Sequence, residues 1–473
     1  MDMVSALPDD HAHDKCGVVG VYSPQRDAAR LAFFGIFALQ HRGQESAGIA
    51  ASDGEQLRLH SDMGLVTQAF REEDLERLTG DIAIGHTRYS TTGSSHHSNV
   101  QPIRVTGPHG EMAIAHNGNL VNTLDLHQRL KEWGCEFQGT TDTEVIALLL
   151  ANAPGQTWEE RISYCMRTLQ GAYSLTIATK DTLLGIHDPL AVRPLCLGKL
   201  DNGGWVLASE SCALDHIGAT FLRELEPGET IIIDSNGLRS FTWAGQRRKA
   251  QCIFEFIYFS RPDTILNNRL VYTARQAMGA QLAREHPVEG DVVIGIPDSA
   301  TAAAVGYAQE AGIPYSEGLV KNRYVGRTFI QPSQHMRDMG VRMKFNPLPE
   351  VISGKRVIVV DDSIVRGTTT PHVVALLRRA GAKEVHLRVC APPIRHPCYF
   401  GVDMATRQEL VANGRTVAEI GELVKADSLG YLSIDGLLKA VEGEPTGYCT
   451  ACFTGNYPMP VQLEMDKLAL ERS

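Results

Sequence analysis

The hydrophobic rhythm of this chain changes once, after Gln246-Arg247-Arg248-Lys249, and that change limits what the chain can fold into. Before it, short alternating runs bounded by turn residues recur at Asp81–Ile84, Met112–His116, Tyr173–Ala178, Thr182–His187, Trp205–Ser209 and Thr230–Asp234. Helical patterns interrupt them at Ala28–Leu39 and from Thr143–Leu150 toward Ala153. Many strands with few helices predict a layered αββα sandwich. After the change, strand Val292–Ile296 precedes helix Thr301–Ala311, strand Arg356–Val360 precedes helix Thr369–Ala380, and strand Glu384–Val389 follows. That βαβαβ order predicts a parallel sheet with ligands beyond the carboxyl ends of its strands. At 473 residues the chain is too long for one ordinary core, so two domains are expected, meeting near residue 248.

Composition removes several classes of function. A net charge of −10 argues against a nucleic-acid partner, which would want a basic face. No apolar stretch approaches the roughly 18 residues of a membrane span, so no membrane partner and a cytoplasmic location are expected. Ten cysteines in so long a chain, with no secretion signal, point away from disulfides. Some should be catalytic or bind metal.

Cys16 opens Cys16-Gly17-Val18-Val19-Gly20, directly after a polar leader, Met1–Lys15, with no apolar run. If residues 1–15 are a propeptide, Cys16 carries both a thiol and a free α-amine. With ordinary values near ~8 for the amine and ~8.5 for the thiol, the amine can serve as base for its own nucleophile. The alternative is a small buried cysteine at the start of a strand. Four polar clusters follow: His41–Gly48, Gly85–Ser90, His116–Asn119 and Thr140–Glu144. Each is expected where a strand ends or a helix begins, so that the side chains converge on a cleft. A thiol that hydrolyses an amide needs oxyanion donors, which the Asn117 side chain and the Gly118 N–H can supply. It also needs charges to hold the substrate: Arg88 suits an α-carboxylate and Asp142 an α-ammonium. Singly, Asn117-Gly118 is also a hairpin turn, Arg88 a surface ion pair and Asp142 a helix cap.

CGVVG, HRGQESAGI, GHTRYST, HNGNL and TDTE, in that order, resemble the N-terminal-nucleophile class of glutamine amidotransferases. The resemblance implies that Cys16 is unmasked by propeptide removal and attacks the glutamine carboxamide. It also implies Asn117 and Gly118 as the oxyanion hole, with Arg88 and Asp142 holding the amino-acid end of glutamine.

In the second half, Val357–Val360 delivers Asp361 and Asp362 to a strand end, and Ser363-Ile364-Val365-Arg366-Gly367-Thr368-Thr369 leads into a helix. Loop N–H groups, the helix start and the hydroxyls of Ser363, Thr368 and Thr369 make a phosphate cradle. The two aspartates suit a diol, or a magnesium ion shared with pyrophosphate. The alternative is an ordinary turn capped by Ser363. The spacing resembles the phosphoribosylpyrophosphate signature of type I phosphoribosyltransferases. By that resemblance residues 363 to 368 hold the 5′-phosphate, and Asp361 and Asp362 hold ribose hydroxyls and metal. Ile296-Pro297-Asp298-Ser299 matches the pyrophosphate loop, with Ser299 at the Mg2+ site. Lys321, Arg323, Arg327, Arg337, Arg342 and Lys344 form a basic island around one acid, Asp338. It is either a solvated loop or a lid closing over a polyanion. Tyr324–Ile330 in it resembles the family's flexible loop, placing Lys321 and Arg327 with the phosphoribosylpyrophosphate-binding residues.

Cys449-Thr450-Ala451-Cys452, with Cys252 and Cys398, could form a four-thiolate site. Sequence physics leaves zinc, iron–sulfur, a redox pair and simple core packing open. The contexts CIFEFIYFSRPD and HPCYFGVD resemble the cluster-containing branch of glutamine-dependent amidotransferases acting on phosphoribosylpyrophosphate. That implies one 4Fe-4S cluster on Cys252, Cys398, Cys449 and Cys452, and one Mg2+ per subunit. Cys135, Cys165, Cys196, Cys212 and Cys390 are expected in the core. The two resemblances together imply an N-terminal-nucleophile sandwich over residues 16–248 and a phosphoribosyltransferase domain over 249–473. They imply release of ammonia from glutamine, its transfer to phosphoribosylpyrophosphate to give 5-phosphoribosylamine, and hence the first committed step of purine synthesis. An apolar passage for ammonia, purine nucleotide inhibition and a homotetramer are further expectations.

Overall fold

The computed structural model of the chain describes residues 16–24, 27–89, 96–322, 344–402, 404, 406–442, 447–461 and 469–471. Residues 1–15, Ser90, Arg323, Tyr324–Ile330 with Arg327, Arg337, Asp338 and Arg342 lie outside them.

Period-two alternation builds the first domain in four layers. Gly17–Tyr22 is the central strand of a seven-stranded sheet, antiparallel to Ile82–Arg88 on one side and Trp205–Ala208 on the other. Gly110–Leu120 and Gly171–Ala178 are antiparallel neighbours in a six-stranded sheet. Val18, Ile82, Ile84, Ala113, Ala115, Ile231 and Ile233 fill the space between the sheets. Their alternates Val19, Val21 and Ala83 form one outer core with helix Ala28–Ala38. Met112, Ile114 and Ile232 form the other, with helix Asp142–Ala151. That helix is buried along its whole length, which explains why its sequence is apolar on every face. Each fully buried Leu or Ile in it contributes about 1.5–3 kcal/mol. The expected αββα sandwich is what forms.

The second domain carries four parallel strands in the order Val292–Gly295, Arg356–Asp361, Glu384–Val389 and Ser428–Tyr431. Val357 to Val360 are fully buried, as expected for a strand covered on both faces. Helices Val271–Glu285 and Thr301–Ala311 pack on one another beside it. The seam between the halves is continuous. Val121, Ala172 and Val192 belong to the second domain's core, and Arg248, Ala250 and Cys252 donate backbone bonds to Pro189, Leu190 and Val192 at 3.1, 2.7 and 3.0 Å.

Candidate active sites

Alternation aims Cys16 inward. It precedes a strand whose Val18 faces the inter-sheet layer, and Asn117 follows Ala113 and Ala115 toward that layer from the opposite sheet. Cys16, Arg88, Tyr89, Gln101, His116, Gly118, Thr141, Asp142 and Thr143 line one cleft. Asn117 lies inside strand Gly110–Leu120, not in a turn, and neither polar atom of its buried side chain has a partner among the described residues. A buried donor left so costs about 1–3 kcal/mol, which an oxyanion accepting from Asn117 Nδ2 would offset. Arg88 is 2% exposed, so it is no surface pair; it donates to Glu45 at 3.2 Å. Thr141, not Asp142, caps the helix by accepting from Glu144 N. Asp142 sits one residue on, accepting from Leu120 N at 3.0 Å and lying 3.8 Å from His116 Nδ1.

Burial pushes the Cys16 thiol up to about 11, opposed by the Tyr89 carbonyl contact and Arg88 and assisted by Glu45 and Asp142. Its Sγ donates to Tyr89 O at 3.5 Å. Burial also pushes His86 down to about 3, leaving a neutral ring against His116 O at 3.1 Å.

At the carboxyl edge of the parallel sheet, Asp361 and Asp362 are buried and flanked by neighbouring strands: Ile296 N donates to Val360 O and Cys390 N to Asp361 O, both at 2.9 Å. Ser363 Oγ donates to Asp362 at 2.8 Å. Ser363 and Val365 are buried, Arg366 and Thr369 half-buried, and Thr368 exposed. Gly367 needs its missing side chain: φ is +68°, and a Cβ would lie 2.7 Å from Val411. Ser299 lies at the next strand end, and Lys321 reaches that loop through Asp298 at 3.3 Å. Asp361, Asp362, Ser299 and Lys321 thus gather at one sheet edge.

The chain matches the glutamine amidotransferase domain over residues 86–216 and the phosphoribosyl transferase domain over residues 262–402. It is 51% identical over 469 residues to an amidophosphoribosyltransferase of Synechocystis sp., covering 98% of this chain and 95% of that protein. It is 46% identical to the amidophosphoribosyltransferase of Bacillus subtilis over 454 residues, 95% of each. The chain belongs to the amidophosphoribosyltransferase family. The solved glutamine phosphoribosylpyrophosphate amidotransferase of B. subtilis, complexed with ADP and GMP, superposes with a TM-score of 0.90 at 46% identity, covering 95% of this chain and 99% of that one. No helix among the described residues is long and apolar enough to cross a membrane.

The four cysteines that the sequence groups together also meet in space. Cys252 and Cys449 are register partners in a short parallel pair. The carbonyl of Cys452 accepts from Arg395 N and His396 N, and Cys398 Sγ accepts from Phe400 N at 3.4 Å. Burial, then one another's charge, pushes Cys449 up to about 12 and Cys452 well above a thiol's usual range. None of the four is in a disulfide. Among the described residues no trio of His, Cys, Asp or Glu closes around a single metal ion. Of the cysteines expected in the core, Cys165, Cys196, Cys212 and Cys390 are buried, and Cys135 is half-buried.

Sequence reasoning missed a charge network on the domain seam. Arg42 Nε donates to the carbonyl of Cys16 at 3.2 Å, and its other nitrogens donate to Glu210 and Glu255. Arg193 donates to Glu255 at 3.3 Å and, twice, to Phe400 O. All four side chains are 0–1% exposed. Burial would raise Glu210, but His41 and Arg42 outweigh it and hold the carboxyl well below its usual range. A lone acid in the apolar run Ile253-Phe254-Glu255-Phe256-Ile257 is the one signal that could have exposed the network.

Proposed function

We propose that this chain makes 5-phosphoribosylamine, glutamate and pyrophosphate, with glutamine hydrolysed at Cys16 and the sugar seated at Asp361 and Asp362. The reading rests on one observation above all: Cys16, Gly118, Arg88 and Asp142 line a single cleft in a family that acts on these substrates. Removal of residues 1–15 would free the α-amine of Cys16, which takes the thiol proton as sulfur attacks the carboxamide carbon. Asn117 and Gly118 receive the oxyanion. Arg88 and Asp142 take the substrate's α-carboxylate and α-ammonium. The proton then passes to the leaving ammonia, and water cleaves the thioester to glutamate. At the second site Ser363, Val365, Arg366, Gly367 and Thr368 seat the 5′-phosphate, and Thr369, Lys321 and Arg327 complete the set that binds phosphoribosylpyrophosphate. Ammonia displaces pyrophosphate at C1 after crossing an apolar passage at the seam. The first domain is taken as residues 16–248 and the second as 249–473.

Two prosthetic groups fit the residues present. Asp361, Asp362 and Ser299 supply the hard oxygen donors that magnesium prefers, and it would neutralise charge on the departing pyrophosphate. Cys252, Cys398, Cys449 and Cys452 would hold a 4Fe-4S cluster through their thiolates. Cys252, Cys449 and Cys452 are held above a thiol's usual range, so ionising them calls for a nearby cation. Purine nucleotides as inhibitors accord with the nucleotide-bound B. subtilis relative; a cytoplasmic homotetramer completes the proposal. The test compares glutamine- and ammonia-driven pyrophosphate release in the wild type and Cys16→Ser, with N-terminal sequencing and iron and sulfide analysis of the same preparation. Loss of the glutamine-driven rate alone, a chain beginning at Cys16, and iron that disappears in Cys252→Ser are expected. Glutamine use surviving in Cys16→Ser would overturn the reading.

A further inference from the structure

The backbone of Gly118 is gripped from two sides, and one of them belongs to the other domain. A Cβ at Gly118 would lie 2.0 Å from Ala172 O in the neighbouring strand. A Cβ at Gly401 would lie 2.7 Å from Gly118 O, 2.8 Å from its carbonyl carbon and 3.2 Å from its Cα. Gly401 is therefore in backbone-to-backbone contact with the residue that lines the Cys16 cleft, and any side chain there would displace one of them. Its φ of +90° also suits glycine.

The segment carrying Gly401 is itself tied to the first domain. Arg193 Nε and Nη2 both donate to Phe400 O, at 3.0 and 2.8 Å, and Asn119 Nδ2 donates to Tyr399 O at 3.1 Å. Arg193 and Phe400 are buried, and Arg193 is held from behind by Glu255 at 3.3 Å. Two bonds from one planar guanidinium fix the direction of the Phe400 carbonyl as well as its position. Three consecutive residues, Tyr399, Phe400 and Gly401, thus press on strand Gly110–Leu120 at Asn119 and Gly118 while anchored at Arg193.

We propose that Tyr399–Gly401 holds the oxyanion hole in shape from the second domain, with Gly401 and Arg193 as positioning residues for glutamine hydrolysis. The proposal rests on the assignment of Cys16 and Gly118 above. It follows from how oxyanion donors work: they must stand where the charge develops, so a displacement of a few tenths of an ångström weakens transition-state binding more than substrate binding.

Gly401→Ala inserts a methyl against the Gly118 carbonyl, and Arg193→Lys keeps the charge facing Glu255 but loses the paired grip on Phe400. In each variant, kcat for glutamine hydrolysis should fall at least about tenfold with the glutamine KM within about twofold. The ammonia-driven rate should stay within about twofold, because the sugar-binding sheet edge is untouched. A glutamine analogue bearing an aldehyde, which forms a tetrahedral adduct with the thiol, should bind at least about tenfold more weakly, while glutamate binds as before. Unchanged kcat, or glutamine- and ammonia-driven rates falling together, overturns the proposal. If Gly401→Ala does not fold, Arg193→Lys decides by the same criteria. A wild type that releases no glutamate would instead refute the assignment of Cys16.

Discussion

The buried thiol makes a sharp statement about pH. With Cys16 pushed up to about 11 by desolvation, only about one molecule in 3,000 carries a thiolate at pH 7.5. If that thiolate were the attacking species on its own, kcat would climb tenfold per pH unit up to about 11. If the α-amine of a processed Cys16 takes the proton, kcat follows the amine, whose ordinary value is about 7.7–8.0, and levels off above about 8.5. The two accounts separate most clearly between about pH 8.5 and 10: a roughly 30-fold rise against a change of less than about twofold. The assay is glutamate release at saturating glutamine, so that titration of the substrate's own amine enters KM and not kcat. A chain that still carries Met1–Lys15 has an amide at this nitrogen, and it should show no plateau and a lower rate at neutral pH. A continued log-linear climb in the processed enzyme from pH 8.5 to 10 would refute amine assistance.

Other substitutions separate the two halves. Asn117→Ala should lower glutamine-dependent kcat by about 10²–10³ while the ammonia-dependent rate persists, measured as pyrophosphate release with each nitrogen source. Asp361→Asn should abolish pyrophosphate release with either source, yet leave the thiol able to hydrolyse glutamine, read as glutamate formed without product amine. Glu255→Gln leaves Arg42 and Arg193 short of a buried counter-charge, so it should destabilise the fold by about 3–5 kcal/mol, read as a lowered urea midpoint. A loss below about 1 kcal/mol would mean that the network is not electrostatically linked.

Which parts of this molecule could be read from sequence follows from the range of the interactions. Val357–Val360 and helix Thr301–Ala311 announce themselves because period and apolarity are local properties. The Asp361–Thr369 loop does so because strand, acids and loop are contiguous. Strand Ser428–Tyr431 escaped notice because Ser428 and Gly430 interrupt the apolar run that marks a parallel strand, and pairing with Glu384–Val389 is what makes it one. The cleft was half legible. Cys16, Arg88, Gly118 and Asp142 stand in recognisable motifs, whereas Gln101 earns its place through long-range bonds to His116 N at 2.8 Å and Thr143 at 3.0 Å. Asn117-Gly118 reads equally as a hairpin turn, and only pairing of Gly118 with Tyr173 decides for strand. Arg193 gives no local sign of its partners, which lie 62 and 207 positions away.

The seam network changes how the two halves should be regarded. Arg42 touches the carbonyl of Cys16 and divides its other nitrogens between Glu210 in the first domain and Glu255 after residue 248. Glu255 also accepts from Ser260 Oγ at 2.8 Å, and Arg275, on helix Val271–Glu285, binds the carbonyls of Phe256 and Ser260. Charge on Asp362 and Glu210 partly offsets the desolvation that lowers Arg275, so this arginine senses both the acid pair at the parallel sheet's edge and the seam. A buried ionic cluster of this kind adds little net stability over a well-packed apolar one, but it tolerates few alternative geometries. The domains could have met through hydrophobic contact alone, as Val121, Ala172 and Val192 do. What the charges add is a fixed register, in which Arg42, the residue that holds the carbonyl of Cys16, is itself held by Glu255 of the second domain. A shift of Glu255 breaks bonds to Arg42 and Arg193 together, so it reaches Cys16 O on one side and Phe400 O, next to Gly401, on the other. The contacts at Cys16 O and at Phe400 O are therefore linked through Glu255, with Glu210 as a second anchor for Arg42.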